Sequence, residues 1–463
     1  MASLYLSAAH KSSGKTTVTL GLCRALRDRG LAVQAFKKGP DYIDPIWHGL
    51  AAGRPSYNLD FRLMTRPEID NLYARHASAA DISLIEGNKG LYDGMDLEGS
   101  DSNAALAKQL ALPVVLVIDT LGITRGVAPL LLGYRAFDPA INIAGVILNK
   151  VGGPRHEEKL RAVLARYTDI PVLGAIHKDA RLAIEERHLG LVPGNESLEA
   201  ERRIADIAAA VTAQVDLDAL LRLAALAPTP APTNPQVKPG NGRMLRIAIA
   251  RDRAFGFYYQ EDLDSLREAG VELVPVDCLR DGDLPNVDGF IIGGGFPESF
   301  IDELSANRTM RQAIRTAVAN GLPVFAECGG LMYLSRSIAW NGKRGEMVGL
   351  VPGDAVMGSR PVGRGYASLL ANPRNLYDGG QDGEIPAHEF HHSHLENLPE
   401  GLDYAYTVTR GHGIDGRNDG YVVNNLLAAY CHRRGSGPHG WIAPFLARAG
   451  AYADQRNAAQ VAA

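Results

Sequence analysis

Residues 7–17, Ser-Ala-Ala-His-Lys-Ser-Ser-Gly-Lys-Thr-Thr, connect a short apolar run at residues 4–8 to an amphipathic run at residues 15–29. A strand that turns into a helix through Gly-Lys-Thr is typical of a phosphate-binding loop, whose backbone N–H groups and helix N-terminus receive phosphate oxygens. In such a loop the lysine contacts the β and γ oxygens of ATP, and the following hydroxyl holds Mg²⁺. The residues that we predict to bind ATP are Ser13, Gly14, Lys15, Thr16 and Thr17.

One position departs from the usual loop pattern. Ala9 stands where its first glycine would be. The alternative interpretation of Lys15 is a charged side chain that only makes the start of a helix soluble. Its position directly after a predicted strand favours the phosphate loop.

Apolar runs typical of strands alternate with helical runs along both halves of the chain. In the first half, the predicted strands are residues 4–8, 32–37, 82–85, 114–118, 143–149 and 172–176, and the predicted helices include 15–29 and 103–110. In the second half, the predicted strands are residues 245–250, 272–276, 289–292 and 323–326. This alternation is typical of βαβ units, so we predict a first α/β domain built around a parallel sheet and a second, separate α/β domain.

A proline-rich segment separates the two halves. Residues 224–242 contain five prolines and can form neither a helix nor a central strand, which is typical of a semi-rigid linker. At about 150 residues per domain, a chain of this length accommodates two or three domains. The predicted division is a first domain at residues 1–223, a linker at 224–242, a second domain at 243–450 and a C-terminal tail at 451–463.

Composition and charge argue against several classes of protein. The 48 basic and 52 acidic side chains give a formal charge of −4, which disfavours a nucleic-acid-binding protein that relies on bulk positive charge. No run approaches about 18 uncharged apolar residues, so we expect no membrane span. The four cysteines are widely spaced and indicate neither a disulfide framework nor a structural metal site. We therefore expect a cytoplasmic protein that binds neither nucleic acid nor membranes.

Carboxylates follow two of the predicted strands of the first domain. Asp41 lies in a Gly-Pro-Asp-Tyr-Ile-Asp stretch after one strand, and Glu86 closes another, with Asp93 in the turn-rich stretch beyond it. Because ligands of open α/β sheets collect at the carboxyl ends of strands, Asp41 and Glu86 are candidates to hold Mg²⁺ beside the phosphate loop, and we expect Asp93 to face the same cleft. Each could instead be an ordinary loop carboxylate. Asn149, at the end of another strand, could hydrogen-bond the edge of a purine or could simply cap the end of its strand.

The second domain contains a candidate nucleophile. Residues 321–334 predict a buried strand, a sharp turn and a helix, with Cys328 at the turn. A thiol on such an elbow is exposed above the sheet, and we expect the helix N-terminus behind it to lower its pKa. The flanking loops carry glycines whose backbone N–H groups could reach an oxyanion, namely Gly294, Gly295 and Gly329. The alternative for Cys328 is a small buried hydrophobic residue.

The base that would activate this thiol must come from elsewhere in the chain. We select His432, near the C-terminus, as the candidate. The competing histidines are His388, His391, His392 and His394. The alternative for His432 is a satisfied core or surface histidine.

Taken together, these motifs resemble the cobyrinate a,c-diamide synthases, the glutamine-dependent amidotransferases of tetrapyrrole biosynthesis. The matching motifs are GKTT (14–17), GPDYID (39–44), NLD (58–60), EG and GLYDG (86–94), ERHLGL (186–191), AFGFYY (254–259), GGGFPE (293–298), ECGG (327–330) and HEFH (388–391). They occur in family order over nearly the whole chain. The resemblance implies a P-loop domain similar to dethiobiotin synthetase, joined to a glutaminase domain of the class I amidotransferase type.

The resemblance also implies roles for individual residues. Those implied at ATP and Mg²⁺ are Lys15, Thr16, Asp41 and Glu86, the last two organising the metal and the reacting phosphate. Those implied at the tetrapyrrole substrate are Tyr42, Asp44, Asp93, Arg187 and His188. In the glutaminase domain, Cys328 would attack glutamine and His432 would activate it. Because no glutamate follows His432, we expect a Cys–His dyad.

The implied reaction is amidation of the a and c acetate carboxylates of a tetrapyrrole such as cobyrinate or hydrogenobyrinate. ATP would activate each carboxylate as an acyl phosphate, and L-glutamine would supply the ammonia. The implied partners are therefore the tetrapyrrole, ATP, Mg²⁺ and L-glutamine. The sequence does not decide whether the protein forms a homodimer.

Three alternatives remain at this point. Lys38 and the pair Asn88-Lys89 depart from the family pattern and are similar to a branch proposed to amidate sirohaem, although they could equally be solvated loop residues. The related cobyric acid synthases amidate other side chains of the corrin. A P-loop ATPase that binds a partner and carries an inactive glutaminase-like domain is a different class, which the intact Cys328 elbow disfavours.

Overall fold

The structure is a computed structural model that describes residues 2–184, 186–187, 190–194, 199–229, 244–377 and 382–462. The chain forms two compact units, Met1–Pro235 and Gln236–Ala463. Much of the segment predicted as a linker lies outside the described residues, whereas Ala224 still belongs to a helix of the first unit.

The first unit is built around a seven-stranded sheet. Its strands are β1 (Ala2–Ala8), β2 (Val33–Lys38), β3 (Tyr57–Leu59), β4 (Ile82–Glu86), β5 (Val114–Asp119), β6 (Ile143–Val151) and β7 (Val172–His177), and a separate short pair is β8 (Glu186–Arg187) and β9 (Gly190–Leu191). Its helices are α1 (Lys15–Asp28), α2 (Ile43–Ala52), α3 (Arg66–Ala77), α4 (Asn103–Gln109), α5 (Val127–Phe137), α6 (Pro154–Tyr167), α7 (Ala200–Gln214) and α8 (Leu217–Ala224). The strand order is β3-β2-β4-β1-β5-β6-β7, and every neighbouring pair is parallel.

Both faces of this sheet are buried, which explains why its strands are apolar along their whole length. Side chains of β1 alternate between two hydrophobic clusters, with Leu4 and Leu6 in one and Tyr5 in the other. Strand β1 is central, with β4 on one side and β5 on the other. The loop that leaves its carboxyl end therefore lies at a switch point of the sheet, where ligands of open α/β sheets bind.

The second unit contains a larger, mixed sheet. Its strands are β10 (Leu245–Ala250), β11 (Phe255–Phe257), β12 (Val271–Val276), β13 (Gly289–Ile292), β14 (Gly294–Gly295), β15 (Val324–Glu327), β16 (Ser337–Trp340), β17 (Lys343–Glu346), β18 (Asp354–Met357), β19 (Gly363–Ala371), β20 (Ile385–His391), β21 (Ser393–Glu396), β22 (Tyr404–Arg410), β23 (Asn418–Val423) and β24 (Leu426–Ala429). Its helices are α9 (Gln260–Glu268), α10 (Ile301–Ala306), α11 (Arg308–Ala319), α12 (Gly329–Leu334) and α13 (Ile442–Ala462).

Nine of these strands form the main sheet, in the order β12-β10-β13-β15-β24-β23-β22-β19-β20. The five strands from β12 to β24 are parallel, and the rest of the sheet is antiparallel. Strands β15 and β24 pair with Glu327 beside Ala429. The chain segments that follow these two strands therefore emerge side by side at the same sheet edge.

The α/β class predicted for both halves is confirmed, and the predicted strands occur with boundaries shifted by at most two residues. The C-terminal segment differs from the predicted tail. Residues 451–462 continue helix α13, and Ala453 is fully buried in the core beside the sheet. Within the described parts of the chain, no helix combines the length and the hydrophobicity that a membrane span requires.

Candidate active sites in the two units

The predicted phosphate loop connects β1 to α1. Ser12 and Gly14 have φ angles of 65° and 84°, and Gly14 directly precedes the helix. The Nδ2 of Asn149 donates to the Ser13 carbonyl oxygen at 2.9 Å, and a Cβ at position 14 would lie 2.1 Å from that nitrogen. Position 14 therefore requires glycine for both its conformation and its close contact. The structure places Asn149 against the loop backbone, where it supports the loop.

Lys15 is the first residue of α1 and is 7% exposed. Its Nζ donates to the Lys89 carbonyl oxygen at 2.6 Å. Burial lowers the pKa of Lys15 to about 8. The loop after β4 folds back over this lysine through a turn in which the Gly90 N–H donates to the Asp93 carboxylate at 2.8 Å. Asp93, which was predicted at the substrate, is exposed and closes this turn with its carboxylate.

Four polar side chains converge where β2 and β4 end. The Nζ of Lys37 lies 2.7 Å from Oε1 of Glu86 and 2.5 Å from Oδ2 of Asp44. The Thr16 hydroxyl donates to the same Glu86 oxygen at 2.8 Å. The predicted metal-binding residues Thr16 and Glu86 therefore lie in contact, together with Asp44, which was predicted at the substrate.

Opposite charges in this cluster shift the pKa values of its members. Burial alone would lower the pKa of Lys37, but Asp44 and Glu86 raise it above its ordinary value. Burial alone would raise the pKa of Glu86, but Lys37 and His48 hold it well below its usual range. The Nε2 of His48, on α2, lies 2.6 Å from Oε2 of Glu86, and both side chains are fully buried. Glu86 is therefore ionised at neutral pH and fixed from two sides.

The Gly-Pro-Asp-Tyr-Ile-Asp loop leads from β2 into α2. The Asp41 carboxylate accepts from the backbone N–H groups of Ile43 and Asp44 at 2.9 and 3.0 Å, which caps the start of α2. The Nδ2 of Asn58 donates to the carbonyl oxygens of Gly39 and Asp41. Asp41 thus positions Asp44 as well as lying 3.9 Å from the Lys37 ammonium.

The structure describes only some of the other residues that were predicted at the substrate. Tyr42 is buried at the start of α2. Arg187 lies in β8, but its side chain is outside the described part, as is the whole of His188. The Nζ of Lys38 turns into the protein and donates to the Asp101 carbonyl oxygen, whereas Lys89 is exposed.

In the second unit, Cys328 lies between β15 and α12 with φ 50° and ψ −103°. This strained backbone is that of the predicted elbow. The prediction that the helix N-terminus lowers the pKa of the Cys328 thiol is wrong for the protein without substrate. Burial and the nearby Glu298 and Glu327 carboxylates raise the pKa of the Cys328 thiol. Burial dominates because the side chain is 7% exposed and the following helix has only six residues. A thiol in this environment needs a base that removes its proton.

The predicted oxyanion glycines meet at this elbow. Strand β14 pairs with β11, so that Gly294 lies opposite Phe257 and Gly295 opposite Phe255. A Cβ at position 329 would lie 3.0 Å from the Gly295 nitrogen. A Cβ at position 294 would lie 2.8 Å from Cε1 of His432. The structure therefore brings together all three glycines and the predicted base.

His432 follows β24 and is 2% exposed. Its backbone pairs with His388 through two hydrogen bonds of 2.7 and 3.0 Å. Burial lowers the pKa of His432 to about 3, so the imidazole is neutral at pH 7 and able to accept a proton. The competing His391 instead stacks on Tyr430, with 4.0 Å between ring centroids.

Three residues near these sites were not among those predicted. Lys37 and His48 contact the predicted metal carboxylate, and Glu327 lies with Oε2 3.4 Å from Nδ1 of His432. The signal for Lys37 was present in the sequence, because it precedes Lys38 at the end of a strand beside the phosphate loop. His48 and Glu327 become visible only when the elements are packed together.

Comparisons with known proteins cover both units. Residues 8–192 match the CobQ/CobB/MinD/ParA nucleotide binding domain family, and residues 246–436 match the CobB/CobQ-like glutamine amidotransferase domain family. A cobyrinate a,c-diamide synthase from Magnetococcus marinus is 48% identical over 451 residues, which cover 96% of each chain. Those of Methanosarcina acetivorans and Listeria innocua are 42% and 41% identical, covering 93% of this chain and 92% and 96% of theirs. The chain therefore belongs to the cobyrinate a,c-diamide synthase family.

Proposed function

We propose that this protein is an ATP- and glutamine-dependent ligase that converts the a and c carboxylates of cobyrinate into carboxamides. The observation that carries the proposal is similarity to cobyrinate a,c-diamide synthases over more than nine-tenths of the chain. Two sets of residues suit the two parts of the reaction, activation of the acid and release of ammonia. One set is a phosphate loop beside a carboxylate cluster. The other is a cysteine elbow together with a glycine loop that the buried His432 imidazole approaches closely.

The first unit would activate the acid. A carboxylate does not condense with ammonia at neutral pH, because its oxygen is a poor leaving group. Attack of that oxygen on the γ-phosphorus of ATP breaks the bond to the bridging oxygen, releases ADP and forms an acyl phosphate. Lys15 would neutralise the β and γ oxygens, and the N–H groups at the start of α1 would receive them.

Mg²⁺ fits the residues at this edge of the sheet. The Thr16 hydroxyl lies 2.8 Å from Glu86 and 3.3 Å from Asp44, which forms an all-oxygen donor set. Among the described residues, no group of three His, Cys, Asp or Glu side chains makes a metal site by itself. Mg²⁺ is usually held by one or two carboxylates together with phosphate oxygens, so Thr16 and Glu86 would suffice, with Asp41 and Asp44 nearby. When bound, it neutralises phosphate charge.

The second unit would release ammonia. The Cys328 sulfur attacks the carboxamide carbon of glutamine while its proton passes to His432. The oxyanion that forms would be held by backbone N–H groups of the loops that carry Gly295 and Gly329. Cleavage of the C–N bond, with the proton moving from His432 to the leaving nitrogen, gives ammonia and a thioester. Water then hydrolyses the thioester to glutamate and restores the thiol.

The alternative acceptor, sirohaem, rests on the extra lysines. Lys38 gives it little support, because its ammonium is engaged by the Asp101 carbonyl oxygen inside the protein. Lys89 is exposed, which also suits a solvated loop residue. The partner-binding ATPase is disfavoured by the preserved elbow and its convergent glycines.

The test offers the purified protein several acceptors with ATP, Mg²⁺ and glutamine. Cobyrinate, hydrogenobyrinate, sirohydrochlorin and sirohaem are incubated separately, and mass spectrometry follows the replacement of OH by NH₂. We expect two replacements on cobyrinate. Amidation of sirohaem without amidation of cobyrinate would establish the alternative acceptor, and glutamine-independent ATP hydrolysis with no amide product would establish the ATPase.

A further inference from the structure

We propose that the Glu327 carboxylate is the positioning residue that orients His432 for proton transfer from Cys328. This inference deepens the proposed function, since it rests on the assignment of Cys328 as nucleophile and His432 as base. It replaces the expected two-residue arrangement with one of three residues. The third member precedes the nucleophile in the chain instead of following the histidine.

The geometry of two neighbouring strands carries the inference. Glu327 ends β15, which runs parallel to β24, and its backbone pairs with Ala429 three residues before His432. One carboxylate oxygen, Oε1, accepts from the Arg433 backbone N–H at 2.8 Å. The other, Oε2, lies 3.4 Å from Nδ1 of His432. The Glu327 side chain is thus held by the backbone of Arg433, and its second carboxylate oxygen lies next to the His432 imidazole.

An imidazole acts as a base through only one of its nitrogens. A hydrogen bond from Nδ1–H to a carboxylate fixes the tautomer in which Nε2 keeps its lone pair, and it stabilises the imidazolium formed when a proton arrives. The Glu327 side chain is 11% exposed and that of His432 is 3% exposed, so water screens this interaction little. Glu327 therefore supplies what a thiol with a raised pKa most needs, a stronger base.

Other charged groups also act on this pair. The pKa of His432 is lowered by His391 and raised by Asp419 and Glu389. The pKa of Glu327 is lowered by the Arg433 guanidinium. Burial raises the pKa of Glu327 to about 8. Because the orienting form is the carboxylate, glutamine hydrolysis should increase as the pH rises from 7 to 9.

The substitution Glu327→Gln gives a sharp test. The Arg433 N–H requires an oxygen at the Oε1 position, so the amide NH₂ of the glutamine faces Nδ1 of His432. An NH₂ donor there stabilises the wrong tautomer, with the proton on Nε2. We expect kcat for glutamine hydrolysis to fall on the order of 10²–10⁴-fold, with the KM for glutamine unchanged. The increase in rate between pH 7 and 9 should disappear.

Two further variants and a second readout complete the test. Asp288→Asn is the matched control, because Asp288 is also a buried carboxylate that accepts a backbone N–H, but it lies before β13 at the opposite end of the sheet. Glu327→Asp keeps the charge and should retain the pH dependence with a lower kcat. Alkylation of Cys328 by iodoacetamide reports thiolate formation directly and should slow in Glu327→Gln but not in Asp288→Asn.

The possible outcomes separate the two proposals. Loss of glutaminase activity in Cys328→Ser, together with normal activity and a normal pH profile in Glu327→Gln, would overturn the role of Glu327 alone. Retained glutaminase activity in Cys328→Ser would overturn the site assignment itself. If Glu327→Gln does not fold, Glu327→Asp decides the question, since loss of its pH dependence would also contradict the proposal.

Discussion

Lys37 and Glu86 occupy paired positions at the carboxyl ends of β2 and β4, and the Lys37 ammonium lies 2.7 Å from the Glu86 carboxylate. Both side chains are buried beside the phosphate loop. A buried carboxylate that loses its cation is costly, because the remaining charge is no longer compensated. The pair therefore links the stability of the first unit to the charge balance of its proposed ATP site.

Replacement of Lys37 by methionine tests this link. We expect the free energy of unfolding of the first unit to fall by about 3–5 kcal/mol, because Glu86 and Asp44 lose their shared cation. Denaturant unfolding measures the change. The double variant Lys37→Met/Glu86→Gln should recover part of the loss, and a single variant as stable as the wild type would show that the pair contributes nothing.

ATP affinity should depend on pH through Lys15. Burial lowers the pKa of Lys15 to about 8, so the lysine is charged below that pH and becomes neutral above it. ATP affinity, measured by calorimetry, should therefore fall as the pH rises from 7.5 to 9. Adenosine lacks the phosphates that Lys15 would contact and should bind independently of pH over this range. A flat ATP profile would contradict the placement of Lys15 at the phosphates.

Asn149→Ala distinguishes two roles for this side chain. The structure places its amide on the Ser13 carbonyl oxygen, so its loss should loosen the phosphate loop and raise the KM for ATP and for GTP by similar factors. A net hydrogen bond of this kind contributes about 1 kcal/mol, so the expected increase is several-fold. A change in the ratio of the two KM values would instead indicate that Asn149 reads the purine.

Gly294→Ala tests the packing of the glutaminase site. A methyl group there would lie 2.8 Å from Cε1 of His432, so the imidazole must move. We expect glutamine-dependent activity to fall strongly while ammonia-dependent activity is retained. Gly450→Ala in α13 is the matched control, since a Cβ there has nothing within 4 Å, and it should stabilise the helix by about 0.5–1 kcal/mol. Equal activity of the two variants would contradict this arrangement.

Local sequence patterns predicted the framework of both sites. The Gly14-Lys15-Thr16 turn, the Glu86 strand end and the Cys328 elbow each lie within one strand–turn–helix or strand–loop segment. Their positions therefore follow from the alternation of apolar and helical runs. The sequence left several histidines in competition, and the close approach of the His432 ring to position 294 becomes visible only in the folded structure.

Features that depend on packing between distant segments were not predictable in this way. Glu327 reaches His432 because β15 and β24, about a hundred residues apart, are neighbours in the sheet. The raised pKa of Cys328 has the same origin, since burial by surrounding elements outweighs the short helix behind the thiol. The different surroundings of Lys37 and Lys38 also depend on packing, because side-chain alternation along β2 turns Lys37 toward Glu86 and leaves Lys38 to bind the Asp101 carbonyl oxygen.

The most direct test of the division of labour is Cys328→Ser assayed with cobyrinate, ATP and Mg²⁺, using either glutamine or a high concentration of ammonium salt as the nitrogen source. We expect the variant to form no amide from glutamine and to form it from free ammonia at the wild-type rate. Lys15→Ala should lose both activities. Equal loss of both activities in a folded Cys328→Ser protein, or retention of both, would contradict the central claim that one unit releases ammonia and the other activates the acid.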